Sequence, residues 1–183
     1  MALAVNLPMT AAAQDSTSQR HGLWGSVAGG YSSSIFSCDN CNAHRRDGVG
    51  LQFAVGMALS ERLLIGIEGD DWFRNQNDVH SEFANVAAAG YFYPRANGNF
   101  FVKAGVGVAY YLFSNASSLD DVGVGLMAGA GYDIPLRGET FITPSVSFDF
   151  GSMGDKAGSR GVTINWLTIG AAITWQSSSS VSP

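Results

Sequence analysis

From Leu23 onward the chain alternates large apolar residues with small or polar ones at a period of two, the spacing that sends successive side chains to opposite faces of a β-strand. The pattern is clearest from Leu51 to Leu59, where Leu51, Phe53, Val55, Met57 and Leu59 oppose Gln52, Ala54, Gly56 and Ala58. Seven further segments read the same way. Leu23 to Tyr31 sets Leu23, Val27 and Tyr31 against Ser26, Ala28 and Gly30; a strand opening at Leu63 sets Leu63, Ile65 and Ile67 against Gly66, Glu68, Asp70 and Arg74. Glu82 to Tyr93 is Ala-rich, and Tyr91 and Tyr93, which share one side, are expected to point outward. Phe100 to Leu112, Val122 to Asp133, Phe141 to Phe150 and Asn165 to Trp175 complete the set, the seventh interrupted by Pro144.

Connections after the second, fourth and sixth strands are short, at Ser60 to Arg62, Pro94 to Asn99 and Pro135 to Glu139. Those after the odd strands are long: Ser32 to Arg46, Asn75 to Ser81, Ser114 to Asp121 and Ser152 to Arg160. Alternating tight turns and long loops on an even number of strands predicts an all-β fold, an eight-stranded antiparallel up-and-down transmembrane β-barrel with turns in the periplasm and loops outside.

Period two alone fits a soluble lipocalin-like barrel equally well, since it too has eight up-and-down strands with one apolar face. The minor face separates the two. It carries mainly Gly, Ala and Ser, too few charges for a water-facing exterior but well suited to a narrow lumen that side chains must fill. Glu68, Asp70, Arg74, Lys103, Asp133 and Asp149 share that parity and are expected to form a lumen ion-pair network, with Lys103 and Arg74 shared among the carboxylates. Tyr91, Tyr93, Phe100, Tyr132, Phe141 and Trp175 fall beside the short turns and are expected to form one interfacial aromatic girdle.

Composition narrows the picture further. Of 183 residues, 46% are hydrophobic and only 14% charged, and 23 are glycine, yet no run reaches the about 20 apolar residues of a spanning helix, so strands must do any crossing. A net charge of −5 excludes a nucleic-acid partner, which needs clustered Lys and Arg. The opening, Met1 to Gln14, reads as the end of a secretory signal cleaved after Ala13, although a complete signal would start with Lys or Arg and the first basic residue is Arg20. The expected division is a signal remnant at 1–13, a periplasmic segment at 14–21, the barrel at 22–175 and a polar periplasmic tail at 176–183.

Over Gly22 to Trp175 the chain resembles the small outer-membrane barrels of the OmpA and OmpX transmembrane-domain type. The stretches Cys38-Asp39-Asn40-Cys41, Leu64-Ile65-Gly66-Ile67-Glu68 and Phe101-Val102-Lys103-Ala104-Gly105-Val106-Gly107 are similar to uncharacterised outer-membrane barrel proteins. The resemblance implies residence in the cell outer membrane, with membrane lipids and the barrel-assembly machinery as partners, but no particular activity. Such barrels commonly end on an aromatic residue, whereas here Trp175 is followed by a Ser-rich tail.

Candidate chemistry is sparse. Cys38 and Cys41, in the longest loop, favour an intraloop disulfide in a secreted setting. With His44 they offer three zinc ligands but no fourth. The histidines His21, His44 and His80 share no strand face with a nearby Ser, so the Ser-His pairing of a lipid-modifying enzyme is missing. Gly123, Gly125 and Gly129 imitate part of a nucleotide fingerprint without the helix it requires. No catalytic, metal or cofactor residues are therefore expected. A monomeric structural or surface-interaction barrel, meeting an external partner through its long loops, is the leading reading. A narrow pore, a soluble lipid-binding barrel and a lipid-modifying enzyme are the alternatives.

Overall fold

The computed structural model describes residues 20–39, 41–76, 79–113, 121–156 and 159–177. Among the described residues nine strands follow in order: β1 (Leu23–Cys38), β2 (Cys41–Ser60), β3 (Leu63–Gln76), β4 (Val79–Phe92), β5 (Phe100–Phe113), β6 (Asp121–Tyr132), β7 (Ile134–Arg137), β8 (Thr140–Lys156) and β9 (Ser159–Gln176). Consecutive strands pair antiparallel except β6 and β7, β1 also pairs with β9, and β6 pairs with β8, so the sheet closes on itself. The four-residue β7 continues the line of β6 past Asp133 and pairs with the start of β8, leaving eight staves. Gly138, at φ +59, makes the turn into β8, a backbone region that residues with a Cβ rarely occupy.

Every stave keeps the inside-outside alternation of the sequence. On β2, Gln52 and Ala54 are buried while Phe53, Val55 and Met57 are exposed; on β3, Glu68 and Asp70 are buried while Ile65 and Ile67 are exposed. Ile67 and Val55 each leave 61% of their surface uncovered, and large apolar side chains stand outward on all eight staves. At about 25 cal/mol per Å² such a belt would be strongly unfavourable in water, so its natural solvent is lipid. A soluble lipid-binding barrel needs the opposite arrangement, with the large apolar residues lining the interior, and this barrel does not have it.

The strands run well past the apolar alternation. Residues 32–38 and 41–46, expected as loop, form a hairpin in which Ser34 pairs with Arg46 and Phe36 with His44. Residues 75–76 and 79–81 likewise continue β3 and β4, and 152–156 with 159–160 continue β8 and β9. In these extensions polar residues occur on both faces and the large apolar ones, such as Phe36 and Met153, are scattered, so the regular hydrophobic period disappears while the backbone ladder continues. The connection at 114–120 lies outside the described residues. At the opposite end the links are tight: 61–62, 93–99 and 138–139. The barrel thus has a hairpin end and, opposite it, a turn end. The expected division at 1–13, all of the expected segment 14–21 except Arg20 and His21, and most of the tail lie outside the described residues, whereas Gln176 belongs to β9.

Two close approaches depend on glycine. Gly56 faces Gly66 across β2–β3 and Gly30 faces Gly170 across β1–β9. A Cβ on Gly56 would collide with the Ile65 carbonyl, and one on Gly30 with the Ile169 carbonyl. These bare positions let the staves curl tightly around a narrow interior.

Candidate functional site

Inward-facing side chains fill the lumen in three layers. Nearest the turn end, Trp24, Leu64, Tyr91, Tyr93, Phe101 and Met127 form an apolar cluster. Trp24 meets Tyr91 edge-on at 4.7 Å between centroids, and Phe101 lies 5.6 Å from Tyr91 and 5.4 Å from Tyr93. Below them Arg20 closes the mouth. Its guanidinium donates to the carbonyls of Ala96 at 2.8 Å and Gly98 at 2.6 Å, and stacks 3.6 Å from the Tyr93 ring centroid. The chain thus crosses the barrel base before entering β1.

The middle layer is polar. Lys103 on β5 pairs with Glu68 on β3, which also accepts the Tyr91 hydroxyl hydrogen. Asp70 accepts from the Gln52 amide, which reaches on to Ser147 at 2.9 Å. Asp149 accepts from Asn85 at 3.0 Å. Asp133 accepts from Tyr93 and from Thr143, both at 2.8 Å. One cavity of about 30 Å³ remains between this layer and the aromatic cluster, room for one or two waters.

The layer nearest the hairpin end is again apolar: Trp72, Phe83, Met153, Val162, Ile164 and Trp166, with Phe36, Cys38 and Tyr111 packed against it. Trp72, Phe83 and Tyr111 stack in a row, each neighbouring pair 4.9 Å between centroids and within 22° of coplanar. Two hydrophobic stoppers therefore enclose a hydrogen-bonded polar belt.

Against the expected sites, the structure brings Glu68, Asp70, Lys103, Asp133 and Asp149 into the lumen, but their partners differ from those anticipated. Lys103 is committed to Glu68, while Asp70, Asp133 and Asp149 are held by amides and hydroxyls. Arg74 is not part of this belt. It stands beyond Trp72 at the hairpin end, within electrostatic reach of Asp47. The girdle is corrected more sharply. Phe100, Tyr132 and Trp175 face outward as expected, but Tyr91, Tyr93 and Phe141 are 6%, 2% and 5% exposed and point into the lumen. The physical reason is the hydroxyl: Tyr91 and Tyr93 supply the donors that Glu68 and Asp133 need in a dry interior. Phe141 shares the parity of Thr143 and goes inside with it.

Sequence reasoning missed Gln52, Asn85 and Thr143 as partners, and Arg20 as a cap. The available signal was parity, since Gln52 and Thr143 share a face with known lumen positions. Cys38 sits directly opposite Cys41 in the β1–β2 register. The side chains of Cys41, His44 and His80 lie outside the described residues. Gly125, part of the apparent nucleotide fingerprint, instead makes room for the Asn85 side chain. Beyond the belt, Asp47 accepts hydrogen bonds from the Tyr31 and Ser33 hydroxyls, which hold its carboxyl below the ordinary carboxylate range.

Closed antiparallel staves, an apolar exterior and a plugged polar interior define the fold class of the small outer-membrane β-barrels. The crystal structure of Neisserial surface protein A matches with a TM-score of 0.58 at 10% identity, covering 85% of this chain and 99% of that one. Ail, the attachment invasion locus protein of Yersinia pestis, matches at 0.53 and 15%, covering 83% and 98%. OprG from Pseudomonas aeruginosa matches at 0.51 and 14%, covering 88% and 99%. No protein-family model and no curated protein matches the chain in sequence.

Proposed function

We infer that the chain is an integral outer-membrane barrel, non-enzymatic and monomeric, whose role is structural or lies in surface interactions carried by the hairpin end. The observation that carries this reading is the filled lumen under a lipid-facing belt: with both mouths stopped by aromatic clusters, the outer rim is the surface left for recognition. In this orientation the turn end lies in the periplasm. Ail is named for attachment and invasion, and one of its structures holds the heparin analogue sucrose octasulfate; surface attachment is the role we carry over as a proposal. Membrane lipids and the barrel-assembly machinery are the partners that reading requires. A secretory signal ahead of Arg20 and a Cys38–Cys41 disulfide at the hairpin tip complete it.

Cell fractionation, followed by gel migration with and without boiling, tests the reading. Outer-membrane recovery with a heat-dependent shift supports it, and a soluble protein without a shift refutes it. The narrow-pore alternative predicts steady conductance in planar bilayers, whereas a lumen interrupted by Trp72, Phe83 and Trp166 predicts none.

A further inference from the structure

A recess at the outer edge of the β4–β5 turn lies apart from the layers that fill the lumen. Pro94, Arg95, Gly98, Asn99, Phe100 and Tyr132 line it, around a volume of about 280 Å³. Phe100 on β5 and Tyr132 on β6 are register partners, and both rings stand outward with about half their surface uncovered. From them the apolar belt runs on through Val102 and Val106 on β5 and Ile134 and Leu136 on β7. The turn itself is polar apart from Pro94 and Ala96, so the recess sits where the lipid-facing surface ends.

Arg95 is the one charged residue lining this recess; it is exposed, and among the described residues it makes no ion pair. The backbone around it is already committed. Ala96 and Gly98 turn their carbonyls to Arg20, the Arg95 carbonyl accepts from the Gly98 amide, and the Asn99 carbonyl accepts from the Asp133 amide. The Asp133 carboxylate is buried in the lumen, where Tyr93 and Thr143 hold it. Among the described residues the outer surface of the turn end carries Arg62, Arg95 and Arg137 against Glu61 and Glu139. A guanidinium presents paired N–H donors that match two oxygens of a phosphate, and rings at a membrane interface lie at headgroup depth. A phospholipid has the same order, a phosphodiester over acyl chains. Resting on the membrane reading above, we propose that this recess seats one glycerophospholipid of the periplasmic leaflet, its phosphodiester on Arg95 and an acyl chain along Phe100 and Tyr132.

The test uses the full chain folded in detergent micelles, with folding verified by the heat-dependent gel shift. Native mass spectrometry then compares phosphatidylglycerol, diacylglycerol of the same chain length, and inorganic phosphate. One phosphatidylglycerol is expected to stay bound, diacylglycerol to bind far more weakly, and excess inorganic phosphate to displace little of the lipid. Arg95→Gln should weaken phosphatidylglycerol binding about tenfold, Tyr132→Ala should weaken it too, and Arg62→Gln, which removes the same charge from a different turn, should leave it unchanged. Arg95 is exposed on a turn, so its variant decides the matter even where Tyr132→Ala fails to fold. Diacylglycerol binding as tightly as phosphatidylglycerol would mean that the rings alone attract lipid, and full displacement by inorganic phosphate would mean a plain anion site. Either result, or Arg95→Gln binding as tightly as the parent, would overturn the proposal. A heat-dependent shift without selective phosphatidylglycerol binding removes this site and leaves the membrane barrel standing; a soluble protein without a shift removes both.

Discussion

The guanidinium of Arg20 lies against the face of Tyr93, whose hydroxyl in turn donates to Asp133, so that a residue preceding the first strand is tied through one ring to the seam between β6 and β8. Arg20 is 95% buried by this contact and by the carbonyls of the β4–β5 turn. Replacing it with Ala leaves those carbonyls and the ring without their donor. Arg20→Ala should lower stability by about 2 kcal/mol, read as a lower urea midpoint for the barrel in lipid vesicles, and Arg20→Lys should recover part of the loss. An unchanged midpoint for Arg20→Ala would show that the cap contributes nothing.

The Lys103–Glu68 pair makes a sharper prediction because both groups are out of water. Glu68→Gln strands the ammonium and Lys103→Met strands the carboxylate, each expected to cost about 3 kcal/mol or more. The double variant Glu68→Gln/Lys103→Met removes both charges and should be less damaged than the sum of the singles. Urea titration of the four proteins as a double-mutant cycle checks this; additive losses would mean the pair is not coupled.

The exterior predicts dependence on depth. Val106 stands outward in the middle of β5 and Leu136 stands outward on β7 at the turn end. Val106→Arg should cost about 2–4 kcal/mol, and Leu136→Arg about 1 or less, since a long side chain near the interface reaches water. Equal penalties at the two positions would argue against a membrane belt.

Much of this fold is legible in the sequence because lipid on one side and a narrow lumen on the other impose opposite demands on alternate residues. Where that contrast fails, so does the reading. Ser32 to Ser34 and Asn42 to Arg46 are polar on both faces, so their strands look like loops. The fourth strand has Ala on both faces, leaving Tyr91 and Tyr93 to be sided by the habit of aromatics at membrane interfaces. Parity with Ala87 and Ala89, which are buried, places them inside. The partners of the lumen carboxylates come from distant strands: Gln52 with Asp70 and Ser147, Asn85 with Asp149. A linear pattern cannot show which neutral side chain meets which acid.

Glycine gives a further prediction. At Gly56 an added methyl group would meet the Ile65 carbonyl, a backbone atom that cannot swing aside. Gly56→Ala should destabilise the barrel by about 1–3 kcal/mol. Gly90→Ala, whose added methyl meets nothing, should be close to neutral. Urea midpoints of the two variants check this, and equal midpoints would count against the close approach.

At the hairpin tip, Cys38 and Cys41 are register partners across a very short connection. A disulfide there should leave the intact protein two hydrogens lighter than after reduction, by mass spectrometry. Because so small a ring limits the unfolded chain only slightly, reduction should change stability by about 2 kcal/mol or less.

The seam between β1 and β9 runs from Trp24 opposite Gln176 to Ser37 opposite Thr163. The first hydrogen-bonded stave therefore waits for the last, and until β9 arrives its open edge offers unpaired N–H and C=O groups that lipid has no means to satisfy. Loss of the final stave would not yield a slightly smaller barrel. It would leave an unsealed ribbon, so quality control over this molecule falls on its closing step, and any chain that stops short of Thr163 belongs to the proteases.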